Sequence, residues 1–183
     1  IGNLPVEIIG LKNLEVLNLF KNQISGTIPE KIGELKNLKE LNLSFNKLSG
    51  SIPSSICDIP HLHTIMMFMN RLSGELPSQI GNLKELVLSS NKFSGQISWN
   101  VENLKELENL SLFDNKMDGY IPYTIAKLDN LKSVNLSYNS FTGGVSQALA
   151  QKEDFNLTMI NEYGVAFELE VSKNEKGVLA ADE

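Results

Sequence analysis

Residues 35–58 read LKNLKELNLSFNKLSGSIPSSICD. Apolar residues stand at Leu35, Leu38, Leu41, Leu43, Leu48, Ile52 and Ile56, with Asn46, Gly50 and Pro53 between them. Neither a helical period of 3.6 nor a strand period of 2 fits the whole spacing. The stretch suits a chain that runs as a short strand, turns, returns along a second edge and turns again. One such coil leaves its own apolar edge uncovered, so it needs similar coils stacked above and below.

Those coils are present. Asparagines fall at Asn22, Asn46, Asn70, Asn91, Asn115 and Asn139, at spacings of 24, 24, 21, 24 and 24 residues. Gly26, Gly50, Gly74, Gly95, Gly119 and Gly143 keep the same rhythm. So do Pro5, Pro29, Pro53, Pro77 and Pro122, with Ser98 and Ser146 where proline would continue the series.

The resulting pattern, LxxLxLxxNxLxGxIPxxIxxL, resembles the leucine-rich repeat in its 24-residue plant-type form, which the Gly-x-Ile-Pro stretch marks. The resemblance covers residues 1 to about 151. It implies an α/β repeat solenoid, a right-handed superhelix with a parallel β-sheet on its concave side and short turns or 3-10 pieces on its convex side. In the plant type the Gly-x-Ile-Pro stretch adds a second run of extended chain on one flank. Strands are expected at about 15–20, 39–44, 63–68, 85–88, 108–113 and 132–137.

The chain has 183 residues, 42% of them apolar, and a net charge of −6. The charge is uneven. Residues 1–151 hold 14 acidic and 13 basic residues, a net of −1, whereas residues 152–183 hold 8 acidic and 3 basic, a net of −5. No basic stripe of the kind nucleic acid requires is present. No apolar run approaches the ~18 residues of a membrane span. The sequence opens inside a repeat at Ile1, and its first residues do not read as a signal peptide. Cys57 is the one cysteine. Plant members of the family usually carry cysteine pairs in terminal caps; here there are none, so either the caps lie outside this sequence or it resembles a relative, such as a microbial one, that caps differently. With no positive charge beside it, Cys57 reads as a packed, inert thiol.

Residues 1–10 end a repeat, and six follow at 11–34, 35–58, 59–82, 83–103, 104–127 and 128–151. Each asparagine offers two donors and an acceptor to turn carbonyls and amides that need partners, which predicts a bonded column of Asn22, Asn46, Asn70, Asn91, Asn115 and Asn139. The repeat at 83–103 is three residues short, and a tighter outer turn is expected there with strand and asparagine in register, because a slip on the strand side would turn core residues outward. Residues 152–183 do not repeat. Val165, Phe167, Leu169 and Val171 alternate with polar or small residues as in a half-buried strand. Residues 173–177 read as a turn, and Val178-Leu179 could begin a return strand. A cap over the last repeat is the simplest reading of this segment; a further domain or a partner-binding tail are the others.

Catalytic and metal motifs are missing from the sequence: there is no phosphate loop, zinc spacing or nucleophile elbow. His61, His63 and Cys57 lie close together but supply too few ligands for a metal. No cofactor and no enzyme activity are expected.

Binding is the alternative. Side chains between the strand leucines should face the concave side. Phe20, Phe68 and Phe113 share one slot in alternate repeats, with serine between them, and Phe45, Met69 and Tyr138 share the next. Together with Met66 and Val87 they form a candidate partner surface, since exposed apolar patches mark interfaces and methionine is common on adaptable ones. The competing view is that these side chains simply lie flat against one another. On the flank, Trp99 and Tyr123 are 24 apart and should stack, with Tyr120 nearby; that pair would contact a partner or a carbohydrate, or act as a structural ladder. Asn42, Asn109, Asn135 and Asn156 open Asn-x-Ser/Thr sequons and are candidate glycan acceptors, although the strand consensus itself generates Asn-Leu-Ser.

The resemblance to plant receptor ectodomains and polygalacturonase-inhibitor-like proteins implies a non-catalytic module, extracellular or at the cell surface, that recognises a protein or peptide along the concave face. Two alternatives are kept: a secreted microbial repeat protein of adhesion or surface assembly, and a ligand-sensing fragment of a receptor kinase.

Overall fold

The computed structural model describes residues 2–159 and, beyond them, the backbone of one antiparallel pair, Ser172–Lys173 with Leu179–Ala180. The expected strand over 165–171, the turn at 173–177 and the capping role of this segment otherwise fall outside the described residues. The rest is an α/β repeat solenoid. Its coils each contribute one strand to a long parallel sheet, in chain order: Val16–Asn18, Glu40–Asn42, Thr64–Met66, Glu85–Val87, Asn109–Ser111, Ser133–Asn135 and Asn156–Thr158. Leu17, Leu41, Ile65, Leu86, Leu110, Val134 and Leu157 occupy matched positions across all seven strands and point into one continuous apolar core.

Two differences from the sequence reading have simple causes. The strands span three residues rather than the expected six, or four at 85–88. The backbone leaves strand geometry at a left-handed residue just before each asparagine, Phe45 for example at φ 54° and Met69 at φ 56°. Inter-coil bonds nevertheless continue past the strand ends, as where the amides of Leu43 and Phe45 donate to the carbonyls of Met66 and Phe68. Second, the sheet runs beyond residue 151 to a seventh strand, where Leu157 and Met159 keep the inward spacing of Val134 and Leu136.

The second edge of each coil forms the flanking strands. Gly2–Asn3, Ile24–Gly26, Lys47–Ser51 and Arg71–Ser73 make one sheet; Ser94–Gly95, Lys116–Gly119 and Ser140–Phe141 make another. The outer edge carries 3-10 turns at Val6–Gly10, Ile32–Glu34, Ser54–Asp58, Trp99–Asn103 and Tyr123–Lys127, and a short α-helix at Gln147–Ala150. Among the described residues, one coil lacks such a turn: the chain between Arg71–Ser73 and Glu85–Val87.

Here the short repeat shows its consequence. Residues 31–41 read KIGELKNLKEL and residues 79–86 read QIGNLKEL, so three residues equivalent to Glu34-Leu35-Lys36 are missing between Gly81 and Asn82. The shortening thus falls just ahead of the 83–103 segment to which the spacing assigns it. Strand and asparagine keep register across it, with Glu85–Val87 bridging its two neighbours. The cost appears on the other two edges. The 3-10 turn is lost, Ile80 stands alone where the coils around it supply Ile56 with Ile59 and Val101 with Leu104, and the flanking sheet breaks in two.

The asparagine column ties coil to coil. The Asn70 Nδ2 group donates to the carbonyls of Met67 and Phe68 in its own coil and of Leu43 in the coil before. Its Oδ1 accepts from the Leu48 amide, also in the coil before. Asn46, Asn91, Asn115 and Asn139 repeat this arrangement. Asn22 donates to Leu19 and Phe20 within its own coil. The column shares its acceptors: the three carbonyls that Asn70 bonds also accept from Asn46, from Asn91 and from the Phe45 amide, so successive coils are tied through common carbonyls.

Candidate recognition surface

Alternation along each strand leaves one side of the seven-stranded sheet to solvent. In register across it run Asn18, Asn42, Met66, Val87, Ser111, Asn135 and Thr158. The aromatic residues follow at the strand ends, and they form two groups rather than one patch.

The first group joins three rings. Phe20 and Phe45 meet edge to face at 5.4 Å, as do Phe45 and Phe68, and Phe20 and Phe68 approach to 6.3 Å. Phe20 and Phe68 come from coils two apart, so their backbones are roughly 10 Å from each other at the usual strand spacing. Their rings lean together across the intervening coil, and Ser44, which lies between them in the row, has no accessible surface. The left-handed backbone of Phe45 places the third ring. Phe20, Phe45 and Met69 remain exposed at 43%, 39% and 45%, whereas Phe68 and Met66 are half-buried.

The second group is Phe113 with Tyr138, edge to face at 5.1 Å; Tyr138 is exposed and Phe113 half-buried. Between the groups lies the short-repeat coil with Val87, Ser89 and Ser90, where the Ser89 and Ser111 hydroxyls bond to each other at 2.7 Å. The predicted surface residues are thus divided, with Val87 standing beside serines in the low coil between the two groups. The ring contacts concentrate at Phe20, Phe45 and Phe68. They depend on the left-handed turn, for which a non-glycine residue gives little sequence signal.

Ion pairs trim the edge of this face. Lys39 bonds Glu15 at 2.7 Å, and Lys132 bonds Glu108, in each case between adjacent coils. The hydrogen bond from Lys132, then its charge, holds the Glu108 carboxyl below the usual carboxylate range. The side-chain oxygens of three predicted glycan acceptors are bonded: Asn42 and Asn135 Oδ1 accept from the Ser44 and Ser137 amides, and Asn109 Oδ1 from the Ser133 hydroxyl. Asn156 and its partner Thr158 are both exposed.

On the outer flank Trp99 and Tyr123 pack edge to face at 5.4 Å, exposed at 59% and 49%. Each starts a 3-10 turn, and the Thr124 hydroxyl ties the two turns by donating to the Trp99 carbonyl at 3.0 Å. Lys127 lies 5.5 Å from the Tyr123 ring and bonds Glu102 at 2.6 Å. Tyr120 stands apart, its ring over Gly143. His63 Nδ1 and the Thr64 hydroxyl are 3.0 Å apart, and no group of three or more metal-ligating side chains occurs among the described residues. The Cys57 thiol is half-buried, and desolvation pushes its pKa up, away from reactivity. No helix among the described residues is long and apolar enough to cross a membrane.

A family model for leucine-rich repeats in two copies matches residues 12–56, and a single-repeat model matches residues 82–104 and 130–151. No curated protein matches the chain. Among solved structures it is similar to the Arabidopsis receptor kinase HAESA, in complex with the peptide hormone IDA and the co-receptor SERK1, with 30% identity and a TM-score of 0.80 over 94% of this chain and 32% of that one. It is similar to a chain of the BIR3–SERK2 complex from Arabidopsis thaliana, with 38% identity and a TM-score of 0.58 over 69% of this chain and 67% of that one. It is also similar to a plant ice-binding protein, with 28% identity and a TM-score of 0.79 over 87% of this chain and 54% of that one. The chain spans between 23% and 33% of the length of three further plant receptors it matches. The repeat period, the bonded asparagine column and these likenesses agree: the chain belongs to the leucine-rich repeat family, in its plant-type form.

Proposed function

We propose that this chain is a non-catalytic recognition module, extracellular or at a cell surface, that binds a protein or peptide across its seven-stranded face. The observation that carries the reading is the Phe20–Phe45–Phe68 cluster, three rings in mutual contact on a sheet face that no other element of the described chain covers. Solvent-facing aromatics of this kind supply large contact area at small entropic cost and are common anchors of interfaces. HAESA, a neighbour of similar fold, is complexed with a peptide hormone and a co-receptor, which supports peptide and protein partners for this chain too. The face suits an extended segment that places one apolar side chain on the three-ring cluster and a second on Phe113 and Tyr138, crossing the low coil between them.

The test is selection of displayed peptides on the wild-type chain, followed by affinity measurement on variants. Phe45→Ser with Phe68→Ser should weaken the selected peptides by tenfold or more, about 1.4 kcal/mol, and Trp99→Ala should leave them unchanged. Equal affinity for the double variant would remove the sheet face from consideration, and a loss confined to Trp99→Ala would move the site to the flank.

A second reading, ice binding, is favoured by one observation, the ice-binding neighbour, of which the chain spans 54%. Thermal hysteresis and ice-recrystallisation measurements on the same sample decide it.

A further inference from the structure

The short repeat leaves a cleft that the recognition face does not use. It lies on the opposite side of the core, between the flank loop at 75–79 and the next coil at 94–101, and encloses about 310 Å³. Beneath it lie the core side chains Leu86, Ile97, Val101, Leu104, Leu110 and Met117, none more than 3% exposed. Its rim mixes Leu76 and Pro77 with polar groups, and Glu75 is the one charged residue among its lining.

The cleft adjoins the shortened coil through residues 75–79 and Leu86, while Gly81 and Asn82, where the coil is short, do not line it. A full coil would add a 3-10 turn and one more apolar side chain beneath it, as Ile59 does in the coil before and Leu104 in the coil after. The short coil supplies Ile80 alone. Val101 and Leu104 accordingly face the cleft. The flanking sheet, which would close the gap from the side, breaks between Arg71–Ser73 and Ser94–Gly95. The volume falls at the lower end of the range for small-molecule sites, and the combination of an apolar floor with a few polar rim groups is the usual composition of such sites.

We propose that this cleft is a binding site for a small amphipathic molecule. Its apolar body takes the place of the missing core side chain, and its neutral or cationic head lies at the rim beside Glu75. An anionic head is disfavoured there, since the rim offers a carboxylate and no cation. The site is independent of the sheet face, and its partner is a small molecule rather than a macromolecule.

The experiment uses the neutral fluorescent probe N-phenyl-1-naphthylamine on the whole chain. The wild type should bind it saturably at one site. Inserting Glu-Leu-Lys between Gly81 and Asn82 completes the coil and should abolish binding while raising the melting temperature. Leu76→Trp, a change on the rim that leaves the repeat length untouched, should weaken the probe by tenfold or more even if the insertion variant fails to fold. Phe45→Ser with Phe68→Ser should bind the probe as the wild type does. Decyltrimethylammonium should displace the probe more effectively than decanoate, and Glu75→Gln should remove that preference. The proposal is overturned by absence of saturable binding, by unchanged binding in Leu76→Trp, by loss of binding in the Phe45/Phe68 variant, or by preferential displacement with decanoate.

Discussion

The side-chain nitrogen of Asn70 donates to the carbonyl of Leu43, 2.9 Å away and 27 residues earlier in the chain. That one bond joins two coils, and the Leu48 amide returns it by donating to the same side chain at 3.0 Å. Asn70→Ala therefore strands the Leu48 amide in a half-buried turn, at roughly 1–3 kcal/mol, while the Leu43, Met67 and Phe68 carbonyls keep their bonds from Asn46, Asn91 and the Phe45 amide. Asn22→Ala removes bonds within a single exposed coil and should cost clearly less. Chemical denaturation of both variants checks this; equal losses would mean that the inter-coil bonds add nothing.

Ser44 presents the opposite case. It is fully buried beside the phenylalanine cluster, and its hydroxyl has no hydrogen-bond partner. A buried, unpaired hydroxyl is a net cost. Ser44→Ala should stabilise the chain by up to about 1 kcal/mol, since it removes the unpaired group and keeps nearly all the volume. A fall in melting temperature would show that the hydroxyl is bonded in solution.

These two positions illustrate what sequence reveals and what it conceals. The asparagine column, the inward leucines and the coil length are written in a period, and periodic signals survive without coordinates. The serine at 44 and the phenylalanine at 68 also belong to a period. Their burial, however, depends on rings from coils two apart leaning over the gap, a contact set by backbone twist and the left-handed turn at Phe45. The seventh strand was hidden for a related reason. Leu157 and Met159 keep the strand spacing, but Glu162 stands 23 residues after Asn139 with no asparagine in step, so the column that identifies the other coils stops one coil before the sheet does. The division of the aromatic face by Val87, Ser89 and Ser90 was visible in the composition, and its meaning emerged only once ring contacts were known.

Charge pairing between coils gives a prediction in pH. Lys132, by hydrogen bond and then by charge, lowers the Glu108 carboxyl pKa. A carboxylate with a depressed folded-state pKa contributes stability that is present above its unfolded value and is lost as pH falls through the folded value. Because the pair is exposed, its contribution is small and screened by salt. Lys132→Ala should move the Glu108 titration upward, as read by NMR, and flatten the acid limb of the stability profile slightly. An unmoved Glu108 titration would show that the pair does not persist in solution.

The last prediction compares two glycines in the same local sequence. Gly33 follows Ile32 and Gly81 follows Ile80, each ahead of a strand that reads Lys-Glu-Leu at 39–41 and 84–86. Their surroundings differ because a full coil and its 3-10 turn pack against the first, while the second lies in the shortened coil. A Cβ on Gly33 would fall 2.1 Å from the Ser55 carbonyl oxygen and 2.8 Å from its carbon, both main-chain atoms of the next coil. The Ser55 hydroxyl also accepts from the Gly33 amide at 3.2 Å and donates to the Glu30 carbonyl at 2.6 Å, so the two coils are bonded at this point and have little room to part. Gly33→Ala should cost roughly 1–3 kcal/mol through overpacking. A Cβ on Gly81 meets nothing within 4 Å, and its backbone is not left-handed. Gly81→Ala should be neutral or stabilising by up to about 1 kcal/mol, because alanine narrows the unfolded ensemble without strain in the fold. Equilibrium denaturation of the two single variants and of the double variant separates the effects, which should add because the sites share no contact. Similar losses in both would mean that the shortened coil is as tightly packed as a full one, and a tolerated Gly33→Ala would mean that the coils at Ser55 lie farther apart than the bonding implies.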